Sequence, residues 1–501
     1  MTSDSEFLPE TDSNSSITCD SILQIYSDNI SEITVNTNLE IDYYSDEYYS
    51  DDFEEDDTIS ISEDEIIDLT TTTYDMINNY LNENILMLST EKFYINMIMH
   101  ITEILYTDMS NTIVDDDDDY DTDLFEELKA FVEQSTDVFL DICEIPRRSQ
   151  IQDYQEIPSL SCVSSILHLK IKELQELIQP EQKTQEWYEF RYNLITASNL
   201  WKVFGSNSQV NSLIYEKCKP LEQSIHRNTY CEGPLHWGVK YEPVTILLYE
   251  KIYNTKIGEF GCIPHAQYSY IGASPDGINI DPESNKYGKM LEIKNIVNRD
   301  ITGIPKQEYW IQTQIQMETC DLDECDFVET RFKEYEKEEQ FYLDKSREYR
   351  GIILHFIERP PTKIKEETLL SNVPYYVYMP LDIRIRPDDI NDWIHTQKVG
   401  MLANNKVLFS IKYWYLDQLS CVLIRRNKLW FNAAISNIKD VWNIILKERT
   451  EGYEHRASKK RKTNDDNTMS IISDDGIQMT VFSKVENPIC LIKLDEDGNL
   501  I

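Results

Sequence analysis

Between residues 74 and 107, apolar side chains recur at helical spacing, and the stretch predicts one or two amphipathic helices. The same spacing returns over residues 123–143, after a break at Asp115–Asp119. A polar linker, Ile145 to Pro158, leads to a helix from Val163 to Ile178 that Pro180 stops. Thr184 to Ser198 predicts a helix carrying Arg191 that gives way near Ile195. Thr196 or Ser198 can then cap a second helix, Asn199 to Phe204. Val244–Tyr249 belongs to a helix with inward apolar residues, and Glu242 sits on it. Residues 255–271 read as one or two strands feeding a turn at Asp276.

Met290 to Lys294 alternates as a half-buried strand does, with Leu291 and Ile293 on one face and Glu292 and Lys294 on the other. After a loop at Asp300–Pro305 comes a helix, Tyr309–Thr319, on which Gln312 and Gln316 share a face. Strands follow at Phe327–Phe332, Gly351–Phe356 and Tyr375–Met379, with a charged, helix-like stretch over 333–350. Two further helices, Asp389–Leu402 and Trp430–Glu448, flank the aromatic segment Ile411–Leu416. Val481–Ile501 suits a hairpin turning at Asp497-Gly498. The alternation of strands and helices marks an α/β chain.

Charge changes the picture at one end. The 501 residues carry a formal net charge of −43. Residues 1–150 hold 39 acidic and 4 basic side chains, a net of −35, which leaves −8 for the rest. Residues 1–72 therefore read as an acidic disordered arm, because like charges at that density resist compaction. Such an arm can be a solubilising tail, a decoy for DNA or a dock for a basic partner. The body is near neutral, so the overall acidity does not exclude a nucleic-acid enzyme. Residues 73–145 form a helical module, and a basic-then-acidic polar tail occupies 451–501, with a basic cluster at 459–462.

The ten cysteines include no CxxC pair, which argues against a zinc or iron–sulfur site. Met1 to Glu10 is polar and acidic, unlike a secretory signal, and no apolar run approaches the ~20 residues of a membrane span. The expectation is an intracellular chain with reduced thiols and no membrane association.

The candidate chemistry gathers between Gly272 and Asn295. A strand carrying Glu292 and Lys294 beside a turn carrying Asp276 makes a place for a divalent cation. Glu242, on a core-facing helix, is expensive to bury unless paired or metal-bound. Arg191 close to a helix start at Thr196 or Ser198 suits a phosphate, although the fragment alone reads first as an ordinary cap beside a surface arginine. Gln312 and Gln316 can be solvated, orient water or contact DNA.

Five blocks then stand in one order: W-x3-R-x-x-x-ITAS (Trp187 to Ser198), WG-x-x-YE (Trp237 to Glu242), SPDG (Ser274 to Gly277), LE-x-K (Leu291 to Lys294) and Y-x-x-Q-x-Q (Tyr309 to Gln314). Residues of about 184–330 thereby resemble the YqaJ-type viral recombinase and phage lambda exonuclease family of PD-(D/E)XK nucleases. The resemblance implies a restriction-endonuclease-like core, a mixed central β-sheet flanked by helices, which we place over 160–360; residues 361–450, outside the resemblance, read as a C-terminal α+β extension. It implies hydrolysis of phosphodiester bonds with Mg²⁺, for which Mn²⁺ can substitute. Asp276 and Glu292 are similar to the family's metal-binding carboxylates, Ile293 would lend its backbone carbonyl, and Glu242 resembles the helix carboxylate that completes the metal set. Lys294 is similar to the residue that positions the attacking water, and Gln312 to the active-site glutamine. Arg191 and Ser198, with Thr196 beside them, are similar to the grip on a 5′-phosphate, and Gln316 is assigned to DNA contact by its shared face.

The function implied is a 5′-to-3′ DNA exonuclease on linear duplex ends, serving viral recombination, repair or genome processing. The implied partners are double-stranded DNA ends, a single-strand-annealing or recombination protein and a homotrimer. The implied location is the host cytoplasm, the nucleus or the virion. A nicking endonuclease on the same core and a non-catalytic DNA-binding or virion protein are the alternatives.

Overall fold

The computed structural model describes residues 63–110, 120–151, 165–180, 184–221, 234–359, 374–457, 470–472 and 478–480. The acidic arm up to residue 62, the basic cluster at 459–462 and the hairpin expected at 481–501 lie outside them. The chain divides into two compact units, Met1–Arg147 and Arg148–Ile501.

The first unit is helical. It comprises α1 (Glu63–Asn84), a 3-10 turn (Ile85–Ser89), α2 (Phe93–Ser110) and α3 (Tyr120–Ile142). The first helix begins inside the stretch that charge assigns to the disordered arm. Half-buried Ile66 and Leu69 continue the inward stripe of Tyr74, Ile77 and Leu81, so apolar spacing outweighs the acidic composition there. On α2 the stripe is Phe93, Met97, Ile101 and Leu105, all buried, one residue per turn.

The second unit is built on an eight-stranded sheet. Its strands are β1 (Gln150–Ile151), β3 (Ile257–Gly258), β6 (Gly277–Asn279), β7 (Met290–Asn295), β8 (Glu324–Glu334), β9 (Arg350–Glu358), β10 (Tyr375–Tyr378) and β11 (Lys406–Arg425). The order runs β10-β9-β11-β8-β7-β6-β3, with β1 on β11. Neighbours are antiparallel except β7 and β8, which are parallel. A parallel pair needs a crossover, and α9 (Gln307–Cys320) supplies it.

A smaller sheet joins β2 (Ile195–Thr196), β5 (Ile271–Ala273) and β4 (Ile263–Pro264). The remaining helices are α4 (Ser165–Glu176), α5 (Gln185–Tyr192), α6 (Ala197–Leu200), α7 (Asn207–Cys218), α8 (Pro234–Tyr253), α10 (Glu338–Leu343), α11 (Pro387–Ala403) and α12 (Lys428–Glu451).

Three features differ from the sequence reading. The β7 strand is buried on both faces rather than one. Tyr249 of α8 covers Leu291 and Ile293, while Gln312 and Gln316 of α9 reach Glu292 on the other face. The charged 333–350 stretch is helical only over the six residues of α10; β8 ends at Glu334, β9 begins at Arg350, and loops fill the rest. Residues 361–450 do not stand apart as an extension: β11 lies between β9 and β8 in the main sheet. Among the described residues, no helix is long and apolar enough to cross a membrane.

Candidate active site

Two neighbouring elements bring the acidic groups together. The turn after β5 carries Asp276, and β6 pairs with β7 so that Gly277 stands opposite Leu291. Side-chain oxygen Oδ2 of Asp276 accepts a hydrogen bond from the backbone N–H of Ile293 at 2.7 Å, tying turn to strand. The turn needs a glycine at 277, since a Cβ there would fall 2.2 Å from Cγ2 of Ile257.

Glu292 is 0% exposed, and both its oxygens are engaged. Oε1 accepts from Lys294 Nζ and from Gln312 Nε2, the latter at 2.6 Å, and Oε2 accepts from Gln316 Nε2 at 2.7 Å. Lys294 also donates to Gln312 Oε1 at 3.4 Å, and its ammonium lies 5.0 Å from the centroid of the Tyr309 ring. A carboxylate taken out of water is costly, and these charge-assisted bonds offset the penalty. Gln312 and Gln316 stand one turn apart on α9, which is why both amides reach a single carboxylate.

Burial, followed by the nearby Glu292 charge, pushes Asp276 well above the usual carboxylate range. The same two causes raise Glu242, which is half-buried on α8. Burial pulls Lys294 down, but Glu292 and Asp276 beside it win and hold it above the usual lysine range. Carboxylates gathered beside Glu292 in this way are hard-oxygen donors suited to a divalent cation.

The expected cage of Glu242, Asp276 and Glu292 is nevertheless not preassembled. Among the described residues, no three His, Cys, Asp or Glu side chains converge as a metal cluster. Lys294 and the two amides hold both oxygens of Glu292, so a cation would have to displace one of them. Asp276 and Glu292, side by side on the turn and on β7, have the hard-oxygen chemistry that suits such an ion.

The phosphate-grip candidates lie on α5, β2 and α6. Parallel pairing sets Thr196 beside Gly272 on β5, the strand that runs into Ser274 and Asp276. Thr196 stands at the N-cap of α6, but its hydroxyl makes no capping bond; it lies 3.3 Å from the Ser198 hydroxyl and accepts from Asn199 at 3.4 Å. The helix begins at Ala197 rather than Asn199 and has only four residues, so its end offers no dipole-based anion site. The Arg191 guanidinium lies over the Trp187 ring, 4.5 Å from its centroid, and its backbone carbonyl accepts from Lys217 at 2.8 Å. Ser198 is exposed.

One assignment is corrected. Gln316 is fully buried and spends its amide on Glu292 and on the Ser274 carbonyl at 3.3 Å, so it cannot touch DNA. Tyr309 and the buried Glu329 went unrecognised as neighbours of Lys294. The parallel register that sets Glu329 beside Lys294 depends on pairing across a crossover, which no local pattern reveals.

The blocks that form this arrangement also decide the comparison with known proteins. Residues 186–323 match the YqaJ-like viral recombinase domain. Arg191, Glu242, Asp276, Glu292, Lys294 and Gln312 all fall within this YqaJ-like segment, whereas β9 to β11 lie beyond it. An uncharacterized protein of Acanthamoeba polyphaga mimivirus is 26% identical, over 62% of this chain and 62% of its own. The chain thus spans less than two thirds of that relative's length. Two crystal structures of an alkaline exonuclease from Laribacter hongkongensis, one in complex with dAMP, are 18% identical. They cover 53% of this chain and 94% of theirs, at a TM-score of 0.30.

Proposed function

We propose that the chain is a metal-dependent deoxyribonuclease that digests linear duplex DNA from its 5′ ends. The observation that carries the proposal is a fully buried carboxylate, Glu292, bonded to Lys294 and facing Asp276 from the adjoining turn. A protein that only bound DNA would have no need to bury opposed acids beside a lysine. The match of this segment to a YqaJ-like viral recombinase domain supports the same reading.

Asp276 and Glu292 would hold Mg²⁺, or Mn²⁺ in its place, with Glu242 and the Ile293 carbonyl as further oxygen donors. When bound, such an ion polarises a phosphoryl oxygen and lowers the pKa of water. Lys294 keeps its proton at neutral pH, since its neighbours hold it above the usual range, so it orients the nucleophile and stabilises developing negative charge rather than serving as a base. Gln312 holds Lys294 and Glu292 in mutual register. Gln316 fixes the second oxygen of the carboxylate. Arg191, Ser198 and Thr196 are the proposed contacts to a terminal 5′-phosphate.

The biological setting is a proposal on the same footing: viral recombination or genome processing in the host cytoplasm, nucleus or virion, beside a single-strand-annealing partner and as a homotrimer. Digestion of linear and covalently closed plasmid tests the chemistry. Linear duplex should be consumed only with the divalent metal, faster from 5′-phosphorylated than from 5′-hydroxyl ends. Nicking of closed circles would identify an endonuclease, and activity surviving both Asp276→Asn and Lys294→Ala would overturn the site.

A further inference from the structure

The face of the sheet that carries Lys294 continues beyond it. In the parallel register of β7 and β8, Lys294 stands beside Glu329, whose side chain is 1% exposed. Glu329 Oε1 accepts from Nη2 of Arg299, which lies on the loop between β7 and α9. The Arg299 guanidinium sits 5.7 Å from the centroid of the same Tyr309 ring that receives Lys294. Its bond from Nη1 to the Asp300 carbonyl, at 3.2 Å, is local, and the side chain remains 24% exposed.

Two buried atoms in this cluster have no hydrogen-bond partner among the described residues: Oε2 of Glu329 and Nε of Arg331. Glu329 and Arg331 are two apart on β8 and therefore share a face. Arg331 already holds the Arg299 carbonyl through Nη2, and among the described residues its only ion-pair contact, 3.9 Å to Asp300, is with a fully solvated carboxylate.

We propose that Arg299 is a DNA-phosphate contact of this site, parked on Glu329 when DNA is absent and replaced there by Arg331 when it turns to the backbone. The inference rests on the nuclease reading and adds a residue to it. A guanidinium at the surface, one ring away from the catalytic lysine, meets a strand whose scissile phosphate lies at Lys294. Leaving Glu329 would ordinarily strand a buried carboxylate, which is prohibitive. The unpartnered Nε of Arg331 removes that obstacle, because the exchange swaps one guanidinium for another and conserves charge. A plain structural clamp on the loop accounts for the Arg299–Glu329 pair but leaves both unpartnered atoms unexplained.

Binding of a short 5′-phosphorylated duplex to the full chain carrying Asp276→Asn, with thermal melting alongside, tests the proposal. Arg299→Ala should weaken binding ~10-fold and lower the salt slope by about one, with Arg299→Lys intermediate. Glu329→Gln should tighten binding by ~2-fold or more, since it releases Arg299 to the DNA. Unchanged affinity in Arg299→Ala with a lowered melting temperature makes the pair a clamp and overturns the proposal. Should Arg299→Ala fail to fold, Glu329→Gln decides, and binding no tighter than the parent overturns it. If the nuclease reading itself is wrong, the wild-type chain releases no nucleotides with metal, a result independent of these affinities.

Discussion

At the residue scale, Asp276 is held in a state that function wants and stability does not. Its carboxyl is raised by burial and by Glu292, so the fold disfavours its charged form. The sign follows from linkage: between the unfolded and folded pKa values the native state keeps a proton that the unfolded chain has lost, and stability falls as pH rises. Glu242 adds to the same slope. In chelator, the melting temperature should therefore decline from mildly acidic to neutral pH, and a divalent cation should restore more at neutral pH than in acid. Asp276→Asn can still accept from Ile293 N–H through its amide oxygen, so it should raise the chelated melting temperature by ~2–4 °C. The same change should abolish nucleotide release. Scanning fluorimetry across pH, with and without metal, reads both slopes, and a flat Asp276→Asn difference would contradict the repulsion argument. The acids and the lysine were legible in the sequence because strand alternation and turn chemistry are local. The raising of Asp276 and Glu242 was not, since it depends on how deeply each is buried and how closely both approach Glu292.

At the element scale, α9 shows what spacing can and cannot say. Helical period puts Gln312 and Gln316 on one face, and the structure directs that face at Glu292. What period leaves open is whether the face is wet, and burial of the whole helix from Trp310 to Met317 decides it. The intervening Gln314 is buried too, for a different end: its amide donates to the Arg425 carbonyl at 3.0 Å and its oxygen accepts from Asn427 N–H at 2.7 Å, fixing the step from β11 to α12. Gln316→Met keeps the volume and removes the donor, leaving Oε2 of Glu292 bare at a cost of ~1–3 kcal/mol. Its kcat should fall ~10-fold or more with KM for DNA nearly unchanged, because the residue touches carboxylate and not substrate. A KM effect alone would return Gln316 to the DNA surface. The strand β11 was the hardest element to read. Its pairing slips between Leu416 and Gln418 and again between Leu408 and Ser410, so alternation resets twice within twenty residues. Only the aromatic stretch between the two irregularities stood out. The helix Asn207–Cys218 starts at a capping pair, the Gln209 side chain accepting from Ser206 N–H at 2.6 Å, a signal that is local in the sequence.

At the scale of the whole molecule, the chain's two ends should respond oppositely to truncation. Ending the chain at residue 360 removes β11 and with it the partner of both β8 and β9. Two long strands would be left with open edges, so the product should be insoluble although it contains every proposed catalytic residue. A soluble, active truncation would show the sheet closing in another way. Beginning the chain at residue 148 instead leaves the second unit with its own sheet, including β1 on β11, and removes a net charge of −36. An acidic segment of that charge tethered to a DNA enzyme competes with DNA for the basic groups of the site at low salt and is screened at high salt. The truncated chain should therefore bind duplex ends ~10-fold more tightly at low ionic strength, with the difference shrinking as salt is added. Equal affinity and equal salt slopes for the two lengths would mean that the acidic unit does not compete with DNA.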